Sequence, residues 1–347
     1  MRLYLIDSKK LYNCLMNTES KRIAIVRLSA LGDIINSTIV LQFIKKHYPT
    51  ARIEWITEEA FAPLVQQLPD VDVVRVMPIK RIKKERSLSL LNQSIRQLKA
   101  LGEYDVIIDM QGLLKSAITA RLIGKNVHGY SKKSARESLA ASFYASTSEV
   151  PYSENIIKRN IKVVSDALNF TVTDQEILDK KPTLPIGNKP KFIKTFKEKI
   201  VTIVAGASWE SKKYPKEQLV EICNALDVRI ILTWGNQEEF HEAVWLAERA
   251  HRAIVAPELN LVTLSHLIAH SDLIIGSDTG PTHMAWALNR PSITLFGPTT
   301  SRMMYETPIN IALKSPSEVD LNNINKQDFS IKEISVESIV KHAEALL

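Results

Sequence analysis

Short apolar runs alternate along this chain with stretches in which apolar residues recur at every third or fourth position. The runs read as buried strands at Ile23–Leu28, Arg52–Thr57, Val73–Met77, Asp105–Met110 and Asn126–Tyr130. Helical spacing lies between them, as at Leu91–Leu101 and Leu114–Ile123, and a stretch at about Glu154–Leu168 closes the first half. Strands alternating with helices predict a parallel sheet covered on both faces. From Asn169 to Pro190 the periodicity fades and Pro182, Pro185, Gly187 and Pro190 cluster, a linker composition. The rhythm restarts with strands at Ile200–Val204, Arg229–Thr233, Ala253–Val255, Asp272–Ile275 and Ser292–Phe296. Helices fall at Pro215–Leu226, Glu238–Ala250, Asn260–His270 and Pro281–Leu288. The class is therefore α/β, with two doubly wound, Rossmann-like parallel-sheet domains expected to face each other across a cleft. The boundaries expected are an N-terminal extension at 1–20, a first domain at 21–175, a linker at 176–195 and a second domain at 196–325. A final helix in 326–347 is expected to pack back towards the N-terminal domain.

A length of 347 residues suits two cores, and 45% apolar with 24% charged residues is ordinary for a soluble globular protein. No apolar run approaches the roughly 18–20 residues that span a bilayer. The first twenty residues lack the continuous apolar segment and small-residue cleavage site of a signal peptide. Cys14 and Cys223 form no disulfide framework, and a reducing cytoplasm is the expected compartment. Charge changes the picture more. Residues 1–170 hold 26 Lys and Arg against 16 Asp and Glu, whereas 171–347 hold 19 against 22. The first half is thus +10 and the second −3, with the densest basic cluster at Arg75, Lys80, Arg81, Lys83, Lys84 and Arg86. Such asymmetry points to an anionic partner for the first half: nucleic acid, acidic lipid or a phosphorylated substrate.

Candidate chemistry gathers where strands run into helices, the edge at which open α/β sheets bind ligands. After the first strand, Ser29-Ala-Leu-Gly32 turns into a helix that carries Asp33 in its first turn. In the second half, Ser277-Asp-Thr-Gly280 does the same, with Pro281 where a first helical residue would stand. Glycine there lets a phosphate approach the backbone, and the helix start favours its charge; Asp278 and Thr279 could equally be helix caps. A further loop, Val204-Ala-Gly-Ala-Ser-Trp-Glu-Ser-Lys-Lys213, offers Ser208 and two lysines, point charges suited to phosphate oxygens. The loop Thr233-Trp-Gly-Asn-Gln-Glu-Glu239 offers a carboxylate for ribose hydroxyls, or only a first-turn charge. Asp70-Val-Asp72 has metal-motif spacing but sits in a turn beside proline, and reads as a solvated loop. No histidine spacing implies a metal, and neither G-x-G-x-x-G nor a P-loop occurs.

Four segments together resemble the lipopolysaccharide heptosyltransferases, glycosyltransferase family 9. They are Arg27-Leu-Ser-Ala-Leu-Gly-Asp-Ile34, Asp109-Met-Gln-Gly-Leu-Leu-Lys-Ser116, Ser134-Ala-Arg-Glu-Ser-Leu-Ala140 and Ser277-Asp-Thr-Gly-Pro-Thr-His-Met-Ala285. The resemblance runs from about Ile23 to the C-terminus with its motifs in order. It implies a GT-B fold and inverting transfer of heptose from ADP-L-glycero-β-D-manno-heptose to the inner Kdo of Kdo-lipid A, with no metal and no further cofactor. Residue by residue, it makes Asp33 the general base and assigns Lys212 to the donor phosphates, with Lys213 able to share that work. Thr279 and Gly280 match the pyrophosphate-binding helix start, Asp278 the carboxylate that holds heptose hydroxyls, Glu239 the ribose ligand, and Leu259 a neighbour of adenine. Ser208 and His283 complete the donor set, with Ala207-Ser208 standing where some relatives carry two threonines. Lys80, Arg81, Lys83, Lys115 and Arg136 are the acceptor-binding cations.

The implied protein is a monomer, cytoplasmic and peripheral on the cytoplasmic face of the inner membrane, with an anionic lipid surface as partner and no nucleic acid. Another family member adding a later heptose (the heptosyltransferase II type) would share the donor half. A non-catalytic two-domain sugar-phosphate binding protein fits less well, because the lysines are directed at phosphate. A nucleic-acid binder would explain the charge, but the chain lacks interleaved aromatic residues and any recognisable binding module.

Overall fold

The computed structural model describes residues 20–321 and 323–347, so the extension expected at 1–20 lies, but for Ser20, outside the described residues. Twelve strands form two six-stranded sheets. The first contains β1 (Arg22–Val26), β2 (Arg52–Thr57), β3 (Val73–Val76), β4 (Val106–Asp109), β5 (Val127–Tyr130) and β6 (Ser146–Ser148). The second contains β7 (Ile200–Val204), β8 (Arg229–Thr233), β9 (Ala253–Val255), β10 (Leu273–Ser277), β11 (Ser292–Phe296) and β12 (Asn310–Lys314). Their orders are β3-β2-β1-β4-β5-β6 and β12-β11-β10-β7-β8-β9, every pairing parallel. Counted from the first strand of each sheet, this is one order used twice, 3-2-1-4-5-6.

That order fixes where a ligand can sit. Winding reverses between β1 and β4 in one sheet and between β7 and β10 in the other. Loops leaving the two central strands therefore part to opposite faces and open a crevice at the strand ends. The central strands are near-continuous β-branched and aliphatic runs buried on both faces, as parallel strands under helices must be. The unexpected strands β6 and β12 are edge strands; Ser-Thr-Ser and Asn-Ile-Ala-Leu-Lys are short, polar or half-exposed, and show no apolar run.

By contacts the chain divides into two compact units. The first takes the residues up to Leu28, Val40–Tyr152 and Ile161–Val172; the second takes Ser29–Ile39, Ser153–Asn160 and Thr173–Leu347. The helix Leu31–Ser37, although it directly follows β1, thus packs with the second unit. The chain ends in a helix. Val336–Leu346 lies on the second unit's own sheet, with Ile339 and Ala343 in one apolar cluster with Leu219, Ile222, Cys223 and Leu295. Its apolar stripe packs against the helix Lys216–Ala225 and β11.

In the first sheet, Glu54 of β2 is fully buried and ringed by donors. Arg22 approaches Oε1 at 2.7 Å, Arg75 approaches Oε2 at 2.9 Å, and the Tyr104 hydroxyl donates to Oε2 at 2.9 Å. Burial pushes the carboxyl up, but these three partners outweigh it and hold it below its ordinary value of 4.5. A depressed carboxyl stabilises the fold above its unfolded pKa and loses that contribution as pH falls through the folded value. Glu54→Gln should therefore cost about 1–3 kcal/mol in urea unfolding at neutral pH. The gap from wild type should stay constant above about pH 5 and narrow as pH drops below 4.5. A gap independent of pH down to 3 would contradict this.

Candidate active site

Within the second unit two helix starts meet. Helix Leu31–Ser37 carries Asp33 in its first turn, and helix Gly280–Ala287 begins directly after β10. Their approach depends on two missing side chains. A Cβ on Gly32 would stand 2.5 Å from His283 Cδ2, and one on Gly280 would fall inside the Leu31 side chain. Polar bonds hold the first helix in place: Asn36 Nδ2 donates to Met303 O (3.0 Å), Asn160 Nδ2 donates to Asn36 O (3.1 Å), and Thr38 Oγ1 donates to Thr183 Oγ1 (2.6 Å). Asp33 itself reaches back, with Oδ2 accepting from Ala30 N–H at 3.2 Å. This is the acidic half of a capping arrangement and fixes the carboxylate at the helix start.

Behind the second helix start lies a buried charged cluster. Asp278 Oδ2 pairs with Lys212 Nζ at 3.0 Å, Oδ1 meets His283 Nε2 at 3.0 Å, and Lys212 also donates to the Asp278 carbonyl. Burial drives the Asp278 carboxyl upward, but the His283 bond and the Lys212 charge hold it well below the usual carboxylate range. Both carboxylate oxygens are thus engaged inside the protein, and only 7% of the residue is exposed. Asp278 thus joins Lys212 to the helix start. His283 continues the chain: its Nε2 is bonded to Asp278, and the adjacent Cδ2 lies against Gly32. Lys213 points elsewhere, to Glu210 (3.0 Å), Glu242 (3.1 Å) and Glu238 (3.8 Å), and does not share this cluster.

The second helix start also leaves donors open. The Gly280 and Thr282 N–H groups have no intrahelical acceptor, and Pro281 has none to offer. The Thr282 hydroxyl shapes the turn by donating to Ser277 O and Thr279 O, both 2.8 Å. Thr279 Oγ1 is buried with no hydrogen-bond partner among the described residues, and so are Ser211 Oγ and Thr299 Oγ1. These three hydroxyls follow β10, β7 and β11, which are neighbours in the sheet. An unpaired buried hydroxyl costs about 1–3 kcal/mol, so three at adjacent strand ends mark a place made for an acceptor-rich ligand. Sequence reading found Thr279 but missed Ser211 and Thr299, whose only signal was a hydroxyl shortly after an apolar run.

The remaining residues of this unit line the neighbouring loops. Glu239 Oε2 accepts from Gly235 N–H at 2.7 Å, and its carboxylate lies against Gly206 of the loop after β7. Ser208, in that same loop, is exposed. Leu259 is half-buried against the cluster of Ile231, Ala256 and Leu267. Beside it the Trp234 indole N–H donates to Ala256 O at 2.7 Å, holding an aromatic ring at the end of β8. Among the described residues no three His, Cys, Asp or Glu side chains are grouped as a metal site. Asp72 of the Asp70-x-Asp72 turn accepts from Ile53 N–H at 2.7 Å, so it serves the start of β2.

In the first unit, Lys80, Arg81, Lys83, Lys115 and Arg136 are all exposed at the loops that follow β3, β4 and β5. Arg81 pairs with Glu59 at 3.1 Å, and Lys80 lies over the Phe61 ring. The motif residue Asp109 has a different task. Fully buried at the end of β4, it accepts from Gln111 N–H (2.8 Å), the Ser116 hydroxyl (2.8 Å) and the Tyr144 hydroxyl (2.7 Å). Burial dominates and raises its pKa despite these donors. Asp109 fixes the loop that leads to Lys115.

Comparison with known proteins identifies the family. Residues 92–331 match the model of glycosyltransferase family 9 (heptosyltransferase). The chain is 36% identical to lipopolysaccharide heptosyltransferase 1 of Campylobacter coli, over 94% of this chain and 98% of that one. It is 28% identical to lipopolysaccharide heptosyltransferase 1 of Escherichia coli strain K12, over 88% and 97%. Among solved structures it superposes on the E. coli heptosyltransferase WaaC with ADP-2-deoxy-2-fluoro heptose, at TM-score 0.77 and 24% identity, over 94% of this chain and 100% of that one. E. coli ADP-heptose lps heptosyltransferase II follows at TM-score 0.67 and 19% identity, over 94% and 98%. The fold is GT-B.

Two substitutions test how the helix starts are held. Gly32→Ala should lower stability by about 1–3 kcal/mol, because His283 is fixed by Asp278 and cannot swing away. Asp278→Asn leaves the Lys212 charge buried without its counter-charge and should cost about 3–5 kcal/mol. Thermal or urea unfolding checks both; wild-type stability in either variant would contradict the packing described.

Proposed function

The chain belongs to glycosyltransferase family 9, the heptosyltransferases, and we propose that within it this enzyme adds the first heptose of the lipopolysaccharide inner core. The donor is ADP-L-glycero-β-D-manno-heptose and the acceptor the inner Kdo of Kdo-lipid A. The observation that carries the reading is the contact of two helix starts, one bearing Asp33 and the other beginning beside a Thr279 hydroxyl that has no hydrogen-bond partner among the described residues. The 36% identity with a heptosyltransferase 1 over nearly all of both chains supports the choice of acceptor.

Transfer is one inverting displacement. The Kdo hydroxyl oxygen forms a bond to the anomeric carbon of heptose, the carbon–oxygen bond to the β-phosphate breaks, and ADP leaves with the electron pair. The hydroxyl proton passes to Asp33, the general base. Charge that develops on the departing phosphate is met by the Gly280 and Thr282 N–H groups, the Thr279 hydroxyl and the Lys212 ammonium, which is tied to the same turn. These groups are in place before reaction, so little reorganisation is needed as charge builds. Glu239 takes the ribose hydroxyls, Ser208 a phosphate oxygen, and Leu259 a face of adenine. ADP-heptose is a substrate here, and the scheme calls on no metal. Lys80, Arg81, Lys83, Lys115 and Arg136 receive the carboxylates and phosphates of the acceptor. The enzyme works as a monomer, peripheral on the cytoplasmic face of the inner membrane, at an anionic lipid surface.

Incubation with ADP-heptose and Kdo-lipid A should add one heptose, read by mass spectrometry. Asp33→Asn should lower kcat by about 10²–10⁴-fold while ADP binding by calorimetry stays within a factor of a few. Retained turnover would remove Asp33 from the reaction. Thr279→Val deletes a hydroxyl that has no partner among the described residues, so it should keep or raise stability, by up to about 3 kcal/mol, and raise donor KM about 5–10-fold. A loss of stability with an unchanged KM would make Thr279 a structural residue only.

A further inference from the structure

We propose that the loop edge of the first sheet docks on an anionic bilayer by seating Leu88 and Leu139 among acyl chains, with the surrounding cations at the headgroups. Leu88, 73% exposed, and Leu139, 63% exposed, are the two most exposed large apolar side chains among the described residues. A single exposed leucine is ordinary. Here both extremes fall on one edge of one sheet.

Chain order and hydrogen bonds of the neighbouring segments support that placement. Leu88 opens the helix Leu88–Lys99, just after the helix Ile79–Glu85 that follows β3. The earlier helix is tied to the end of β2, with Lys80 N–H donating to Glu58 at 2.8 Å and Arg81 bridging to Glu59 at 3.1 Å. Between the two helices Arg86 takes a left-handed conformation (φ 50°), which ends one helix so that Ser87 can cap the next. Leu139 lies in the turn Ser138–Phe143 after β5. That turn is joined to the loop after β4 through Glu137, whose N–H donates to Gly112 O at 3.1 Å and whose carboxylate accepts from Leu114 N–H at 2.7 Å.

Charge identifies the occupant. Lys83, Lys84 and Arg86 precede Leu88 and are exposed; Lys132, Lys133 and Arg136 precede Leu139 and are exposed too. An apolar side chain set among cations suits a lipid surface, where acyl chains lie beneath anionic phosphates. It suits a protein interface core poorly, since lysine is depleted there. The second half of the chain, at −3, offers such a surface no attraction. The inference rests on the proposed reaction in one respect, that the acceptor is lipid-borne.

The test uses the full chain and the double variant Leu88→Ser/Leu139→Ser. Wild type should sediment with vesicles containing phosphatidylglycerol and not with pure phosphatidylcholine. The double variant should partition about tenfold or more weakly, and turnover on Kdo-lipid A embedded in the same vesicles should fall in parallel. Turnover on the fully deacylated, water-soluble acceptor should be unchanged. Equal vesicle binding by variant and wild type would overturn the docking edge. So would an equal loss of turnover on the soluble acceptor, which would place the leucines in the acceptor site. A protein that glycosylates neither acceptor, yet loses vesicle binding through the two serines, would sink the assigned reaction and leave the docking edge standing.

Discussion

Two glycines allow everything else at the site. Without side chains at Gly32 and Gly280, the helix that bears Asp33 can rest on the helix that begins after β10, and His283 and Leu31 fill the space between them. Interiors are packed closely enough that one added methyl at such a contact must move a neighbour. The neighbour at Gly32 is held from behind: His283 is bonded to Asp278, and Asp278 to Lys212. The Asp33 carboxylate and the helix start after β10 are therefore set by one continuous run of packed and hydrogen-bonded groups.

The cluster behind that contact shows how a buried ion pair can hold a helix start in place. Removing Lys212 and Asp278 from water is costly, and their attraction offsets this only because His283 and the Asp278 carbonyl complete the geometry. What results is a rigid turn whose open N–H groups point along a known direction. The orphaned hydroxyls of Thr279, Ser211 and Thr299 have a different energy balance. Each costs the fold about 1–3 kcal/mol while it lacks a partner. Asp109 does comparable work in the first unit, where three donors bind its carboxylate and fix the loop before Lys115.

Much of this was legible in the residues. Strands β2, β7, β8, β9 and β11 fall where the apolar runs place them, because parallel strands buried on both faces must be apolar throughout. The four motif segments also stand at strand ends, as their glycines and short polar residues require. What could not be read was long-range partnership. Nothing in the spacing of Lys212 and Asp278, 66 positions apart, shows that they pair rather than both face solvent. The burial of Glu54 among Arg22, Arg75 and Tyr104 is hidden likewise, since a glutamate in a strand normally marks an exposed face. The helix Leu31–Ser37 looks from its sequence like a continuation of the first sheet, and only the packing of Gly32 assigns it to the second unit. The edge strands β6 and β12 carry too few apolar side chains to stand out from loops. The C-terminal helix announces an apolar stripe without naming the face it covers.

The most direct test is a crystal structure of the enzyme with a non-transferable ADP-heptose analogue. If the two helix starts form one site, the diphosphate will accept hydrogen bonds from Gly280 N–H and the Thr279 hydroxyl. The anomeric carbon will then lie about 6 Å from the Asp33 carboxylate, an attack distance plus one hydrogen bond. A diphosphate bound away from residues 279–282, or an anomeric carbon beyond about 10 Å from Asp33, would show that this carboxylate cannot reach the reacting hydroxyl.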